Sequence, residues 1–224
     1  ECGIHAPHNQ ETREKIQKLN IPITPLHNNC SGKHAGMLSL SKHLNIDPKG
    51  YTSMKHPVQK NIFAQLSKLT GHKNFLYSID GCSAPTPFFS LLDIAKLYQK
   101  LGSKKYPELS IAYNAMFKHP YLIGGKNRFD TAFNSALKGR GICKAGGEAI
   151  RGLVIQTTKY GLIGIAIKVI DGNQRAIEVA TMAILNHLKI LHKKEKEKLL
   201  QYEKIDLYNH NKIHIGEITH TIFK

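Results

Sequence analysis

The chain has 224 residues, with 32 Lys and Arg against 16 Asp and Glu, a formal net charge of +16 and four cysteines. No apolar run of about 18 residues is present, so no membrane-spanning helix is predicted, and four cysteines do not form a disulfide framework in a chain of this length. The lysines are spread over many segments without an aromatic-interleaved basic motif, so we expect a solvated basic surface and no nucleic-acid partner.

Three helical patterns occupy the first third of the chain. Residues 9–19, 33–44 and 57–69 carry apolar side chains at helical spacing with recognisable start and stop signals. Pro22 and Pro25 favour an extended linker before the second of these helices.

The middle of the chain, up to about residue 140, is also predicted to be mainly helical. A short apolar run at 75–79 ends in a turn-rich loop at 80–85. Residues 91–101, 107–117 and 129–137 then predict three more helices.

The pattern changes to strands after residue 140. Residues 153–158 and 162–170 are rich in β-branched side chains and flank a Lys-Tyr-Gly turn, which predicts a hairpin. Residues 142–145 are a possible third strand. Two or three strands seldom form a stable sheet alone, so the predicted sheet is undersized and lacks partner strands.

The C-terminal third is predicted to be mainly helical. A long helix is expected to follow Asn173 and to end at about residue 191, and the charge run at 192–198 is interpreted as its solvated extension. Isoleucines within 212–223 indicate a possible edge strand. The fold class is therefore α+β. The predicted division has a helical part at about 1–140, a sheet with its closing helix at about 141–192, and a charged extension at 193–224.

The stretch around Cys30 is the strongest chemical signal. Cys30, Ser31, Lys33 and His34 lie within five residues and run directly into a helix-forming segment. A thiol at a helix N-terminus is expected to have a lowered pKa, and a thiolate is both a nucleophile and a metal ligand. Cys30 is therefore a candidate for either role.

Cys82, in the 80–85 loop, offers a second thiol for the same site. Cys-x-x-Lys is an unusual zinc pattern, because Lys33 must lose a proton before it can ligate. Lys33 could instead pair with a carboxylate such as Asp80. A Cys30, His34 and Asp80 nucleophile arrangement is equally conceivable, and His34 could be an ordinary polar residue of its helix.

Lys144 precedes two glycines and the predicted hairpin. A strand lysine followed by small residues allows close approach of a substrate, as Lys-Thr-Gly does in serine β-lactamases. The partner motif Ser-x-x-Lys occurs at Ser39–Lys42 and at Ser135–Lys138. Both matches lie in later turns of predicted helices, not at an N-terminus, and are interpreted as coincidence. A glycine turn before a strand would also explain the Lys144 segment.

Several blocks together resemble one enzyme family. The chain is similar to the Rhizobium-type (class 3, asparaginase II family) L-asparaginases, which have a serine β-lactamase-like fold. The resemblance is carried, in family order, by residues 2–7, 25–38, 80–86, 119–120, 124–125, 128–131, 144–148, 164–168 and 171–172.

The resemblance implies hydrolysis of L-asparagine to L-aspartate and ammonia. It implies a zinc site formed by Cys30, Lys33 and Cys82. His34 and Asp80 are placed beside the metal or the substrate. It also implies that Lys144 is a catalytic lysine on a Lys-x-Gly strand.

Members of the family carry a further segment ahead of the Cys2 block, with both catalytic serines. We therefore expect this chain to be the C-terminal portion of an asparaginase-type amidohydrolase, incomplete at the N-terminus of the fold and inactive alone. The resemblance implies a homodimer for the intact enzyme, and reduced thiols favour the cytoplasm. The alternatives are a truncated, non-catalytic zinc-binding remnant, a basic nucleic-acid-binding module and a cysteine hydrolase that uses Cys30.

Overall fold

A computed structural model describes residues 1–221 of the chain. The chain divides into two compact units, of which the first is Glu1–Phe89 and the second begins at Ser90. Helices and small antiparallel sheets make up both units, which confirms the predicted mixture of α and β structure. The predicted boundary at residue 192 does not coincide with this division and stays a prediction.

The first unit consists of three helices and one short hairpin. Its elements are α1 (Gln10–Lys18), a 3-10 turn (Pro25–His27), α2 (Ser31–His43), α3 (Pro57–Thr70), β1 (Tyr77–Ile79) and β2 (Pro85–Pro87). Asn9 caps α1 by accepting a hydrogen bond from the Thr12 N–H, and Gly71 ends α3 in a left-handed conformation. The three predicted helices of this region are confirmed.

The turn-rich loop at 80–84 connects the two strands of the hairpin. β1 and β2 are antiparallel, with Ile79 opposite Pro85. The loop is closed because the Asp80 N–H donates to the Ala84 carbonyl at 2.9 Å and the Ser83 N–H donates to the Asp80 carbonyl at 2.8 Å. β1 lies within the short apolar run at 75–79, for which no strand was predicted, and the Pro-Thr-Pro sequence of β2 is typical of loops.

The second unit has a three-stranded sheet between helices, followed by a separate hairpin. Its elements are α4 (Leu91–Leu101), α5 (Pro107–Lys118), α6 (Pro120–Gly124), α7 (Phe129–Leu137), β3 (Gly141–Gly146), β4 (Ile150–Thr157), β5 (Gly161–Lys168), α8 (Ile177–Leu188), α9 (Lys193–Leu199), β6 (Ile205–Tyr208) and β7 (His214–Ile218), with 3-10 turns at Gln174–Ala176 and Leu200–Tyr202.

The main sheet has the strand order β3-β4-β5, and all of its pairs are antiparallel. Successive residues of β4 face opposite sides. Arg151 reaches Thr181 of α8, whereas a Cβ at Gly152 would overlap the ring of Tyr98 in α4. Gly164 in β5 similarly lies against the Ala95 carbonyl of α4. The two glycines therefore allow α4 to pack closely on one face, opposite α8.

The other face of the sheet contributes the largest core of the second unit. Phe129, Phe133 and Leu137 of α7 pack with alternate strand residues and with Met182 and Leu185 of α8. Leu199 of α9 belongs to the same buried cluster. The helices α7, α8 and α9 thus cover this face together.

The end of the second unit differs from its predicted form. The expected long helix stops at Leu188, because Lys189 adopts a left-handed conformation with φ 54°. The charge run at 192–198 is a separate helix, α9, and the prediction of a solvated extension was wrong, because Glu195 is buried and binds Arg140.

The possible edge strand within 212–223 is present as β7. It pairs with β6 in a two-stranded sheet of its own and does not extend the main sheet. Phe223, at the end of that predicted segment, lies outside the described residues. Across residues 1–221, no helix combines the length and apolarity that crossing a membrane requires.

The ion pair between Arg140 and Glu195 gives a direct test of how α9 is attached. The Arg140 Nε donates to Glu195 Oε1 at 2.9 Å, and the guanidinium also donates to the carbonyls of Gln156 and Ile190. Glu195→Ala leaves this cation without its partner, so the free energy of unfolding should fall by about 3 kcal/mol, measured by urea denaturation.

Glu197→Ala is the matched control, because Glu197 lies on the exposed side of the same helix. Its effect should stay within about 0.5 kcal/mol. Equal losses for the two variants would contradict a buried attachment of α9.

Candidate active site and metal centre

The Cys30 loop is held by a buried amide side chain. The Oδ1 atom of Asn28 accepts the Cys30 N–H at 2.7 Å, and its Nδ2 atom donates to the Cys2 carbonyl at 2.6 Å. Cys30 then occupies the N-cap position of α2, where its side chain makes no capping hydrogen bond. The thiol is therefore available for other contacts.

Cys30, Cys82 and Asp80 form a compact cluster. One ligand atom of each residue lies within 4.8 Å of the corresponding atoms of the other two. Cys82 is buried in the hairpin loop, and its Sγ atom lies 3.4 Å from Asp80 Oδ2. Two loops that are distant in sequence therefore bring together two sulfurs and one carboxylate.

Lys33 completes this cluster through an ion pair. Its Nζ atom donates to Asp80 Oδ2 at 3.0 Å, and the two side chains remain 42% and 40% exposed. This is the Lys33–Asp80 pairing that the sequence left open. Although burial works in the opposite direction, the Asp80 and Cys82 contacts raise the pKa of Lys33, so the amine is protonated in this arrangement.

The ionisation of the other two groups follows from the same contacts. Burial raises the pKa of the Cys30 thiol, and the neighbouring Cys82 thiol acts in the same direction, against the charge of Lys33. The prediction of a lowered pKa for Cys30 was therefore wrong. Burial opposes ionisation of Asp80, but hydrogen bonds from Lys33 and Cys82 hold the pKa of this carboxyl below its usual value.

His34 follows Lys33 in α2 and points into the protein interior. It is only 3% exposed, and its Nδ1 atom lies 2.6 Å from the Tyr51 hydroxyl. Within the described part of the chain, no hydrogen-bond partner reaches its Nε2 atom. Burial and the charge of Lys33 lower the pKa of His34, which favours the neutral imidazole.

The donor set of this cluster fits zinc. Tetrahedral zinc with thiolates at about 2.3 Å places its sulfur ligands roughly 3.8 Å apart, which is compatible with the spacing observed here. Asp80 can serve as a third donor without losing a proton. Lys33 can do so only after losing the proton that it shares with Asp80.

Lys144 lies in the second unit, on β3, whereas the other five predicted site residues lie in the first. Its side chain is exposed, and its Nζ atom donates to the Ala145 carbonyl at 2.5 Å. The Tyr98 hydroxyl donates to the Lys144 carbonyl at 3.4 Å. The lysine therefore lies on a strand that continues in small residues and that Tyr98 of α4 contacts.

The two Ser-x-x-Lys sequences lie where the sequence predicted. Ser39 is in a later turn of α2 and Ser135 is in the last turns of α7, and both are exposed. Neither serine occupies a helix N-terminus, so the interpretation of both matches as coincidence is consistent with their positions.

The sequence reasoning missed three buried polar residues behind Lys144. Asp130 and Asn134 of α7 and Arg151 of β4 are all at most 4% exposed. The available signal was their spacing: Asp130 and Asn134 lie four residues apart, on the same side of a helix whose other residues on that side are apolar. Polar side chains on a buried helix face need buried partners.

These observations define an α+β protein with a paired-cysteine cluster and a lysine on a strand of its main sheet. The family model for L-asparaginase II matches residues 1–220. The chain therefore belongs to the L-asparaginase II family, a family of amidohydrolases, as the motif resemblance indicated. No curated protein sequence matches the chain.

The contacts of Asp80 predict a defined pH dependence. Because the pKa of Asp80 is lower in the folded state, its contribution to stability is present above about pH 4 and is lost as the pH falls through the folded-state value. In chelator-treated protein, Asp80→Asn should lower the free energy of unfolding at pH 7 by less than about 1 kcal/mol, because the pair is partly exposed.

The difference between wild type and variant should shrink progressively as the pH falls below about 4, in urea titrations monitored by circular dichroism. Asp47→Asn, at an exposed carboxylate of the same unit, provides the control. A difference that stays constant from pH 7 to pH 3 would mean that the Asp80 charge does not act as described.

Proposed function

We propose that the intact protein hydrolyses the side-chain amide of L-asparagine to give L-aspartate and ammonia. The observation that carries the proposal is the family match, which extends over residues 1–220 and includes the Cys30 and Cys82 loops and Lys144. The clustering of both cysteines with Asp80 and Lys33 supports it, because Lys33 and Asp80 are 47 residues apart in the sequence.

In this proposal Cys30 and Cys82 hold zinc, together with Lys33 as the resemblance implies or Asp80 as the third donor of the cluster. Bound zinc would supply a localised positive charge beside the substrate. Asp80 would hold the Lys33 amine in place through the 3.0 Å contact. His34, which the resemblance places beside the site, would present a neutral imidazole anchored by the Tyr51 hydroxyl.

Lys144 is proposed to move protons during the reaction. The resemblance implies a serine nucleophile, and a serine hydroxyl must lose its proton as it attacks the amide carbon. Lys144, which the resemblance pairs with a second serine, can pass a proton through that serine hydroxyl to the departing nitrogen, so that ammonia leaves and an ester remains. Water then cleaves the ester, which yields aspartate and restores the hydroxyl.

The same proposal includes a serine β-lactamase-like fold for the intact protein. It is supported by the antiparallel order β3-β4-β5, with α4 against one face and α8 against the other. The homodimer and the cytoplasmic location implied above stay predictions.

Zinc binding can be tested separately from catalysis. Protein purified without chelator should contain about one zinc per chain by mass spectrometry of metals, and Cys30→Ser or Cys82→Ser should lose most of it, because a hydroxyl is a poor zinc ligand. Cys143→Ser is the control, because Cys143 is buried in the second unit. Full zinc content in both loop variants would remove the cysteines from the metal site.

The role of Lys144 is tested by ammonia release from L-asparagine, with L-glutamine as a second substrate. Lys144→Ala should lower kcat of the intact protein by about 10²-fold to 10⁴-fold, the range for loss of a positioned proton-transfer group. Lys159→Ala, at an exposed lysine in the turn between β4 and β5, should leave kcat unchanged. If the intact, zinc-loaded wild-type protein releases no ammonia from either amide, the proposed function is wrong.

A further inference from the structure

We propose that Asn134 and Asp130 are positioning residues for Lys144, because they hold the strand backbone on either side of it. The inference rests on the proposed function, in which Lys144 is the catalytic lysine. Both residues lie on α7, one helical turn apart, and neither needs to touch the substrate.

Asn134 holds the residue before Lys144. Its Oδ1 atom accepts the Cys143 N–H at 2.7 Å, and its Nδ2 atom donates to the Cys143 carbonyl at 3.3 Å. The Asn134 side chain is completely buried. A single amide group therefore satisfies both backbone groups of Cys143, as a neighbouring strand would.

Asp130 holds the residue after Lys144. Its Oδ2 atom accepts the Ala145 N–H at 2.7 Å, and its Oδ1 atom lies 3.3 Å from the Nε atom of Arg151 and 3.4 Å from the Cys143 thiol. Asp130 and Arg151 are 4% and 3% exposed, so this is a buried ion pair.

Arg151 is itself fixed, so the carboxylate has a fixed orientation. Its guanidinium donates to the Thr181 hydroxyl at 3.1 Å and stacks over the Phe129 ring with 4.1 Å between the guanidinium carbon and the ring centroid. Movement of Asp130 away from Ala145 would leave a buried cation without its partner.

These contacts determine where the Lys144 amine can lie. Of the described strands, β4 alone pairs with β3, and in an antiparallel pair the backbone groups of alternate residues point away from the partner. The outward groups next to Lys144 belong to Cys143 and Ala145, which Asn134 and Asp130 occupy. The Lys144 Nζ atom in turn donates to the Ala145 carbonyl, so the amine rests on the residue that Asp130 holds.

The kinetic test is a double-mutant cycle on kcat in the intact protein, with the variants Asn134→Ala, Lys144→Ala and the pair. Asp130 is left unchanged, because its replacement would leave the buried Arg151 cation without its carboxylate partner. Asn134→Ala should reduce kcat by about tenfold to a hundredfold with KM changed less than about threefold, since a displacement near 1 Å has effects of this size. In the Lys144→Ala background it should have no further effect.

Tyr113→Phe is the matched control. It removes a partly buried hydrogen bond from α5 to the Gly139 carbonyl, just before β3, without touching residues 143–145. It should leave kcat unchanged. If Asn134→Ala fails to fold, Asn134→Ser keeps a hydrogen-bonding side chain at the same place and should show the same non-additivity with a smaller loss.

A second measurement does not depend on turnover. Reductive ¹³C-methylation labels the lysines, and the Lys144 signal is the one that disappears in Lys144→Arg. Asn134→Ala should shift and narrow this signal as the side chain loses its fixed position, and Tyr113→Phe should not.

The two measurements separate the possible failures. Equal kcat losses in both Lys144 backgrounds, or an unchanged Lys144 signal in Asn134→Ala, would overturn the positioning role. Absence of turnover by the intact wild-type protein would overturn the proposed function, and the NMR result alone would then decide whether Asn134 orders Lys144.

Discussion

The buried charge of Asp130 constrains more of the second unit than any other single group described here. A carboxylate that is 4% exposed needs polar or charged partners in place of water. Its partners are the Arg151 guanidinium, the Ala145 N–H and the Cys143 thiol. Through these contacts one group connects α7, β3 and β4, and through Arg151 also α8. The apolar core could be repacked with similar side chains, but this charge can be accommodated in few arrangements.

Sequence patterns predicted the helices well where local signals were strong. Asn9, Gly71 and Pro107 mark helix ends by their own chemistry, and the structure places ends beside all three. The predictions failed where tertiary contacts decided the outcome. Residues 192–198 are polar enough to be solvated, yet Glu195 is buried because Arg140, 55 positions earlier in the chain, meets it. Such a pairing leaves no periodic signal in either segment.

The same contrast between local sequence signals and tertiary contacts applies to the candidate site. The chemistry of Cys30, Lys33 and Cys82 made them candidates in the sequence, and only the family resemblance grouped them as a metal site; the structure places both thiols and Lys33 near Asp80. The sequence could not reveal the direction of the Cys30 pKa shift, which depends on how far burial and the Cys82 thiol outweigh Lys33. It also could not identify Asn134, because an asparagine within an apolar helix is uninformative until its partner strand is known.

The two contacts of α7 with β3 also require that the helix rise between Asp130 and Asn134 match the strand length between Cys143 and Ala145. Four residues of α-helix rise about 6 Å, and two residues of strand span about 6.7 Å, so Asp130 and Asn134 can meet Ala145 and Cys143 in register over this one step. The helix and strand run in opposite directions, and the mismatch grows with every further turn. The register consequently tolerates side-chain changes around it far better than a change in chain length. A single-residue insertion or deletion between 130 and 134 would rotate one partner off the strand.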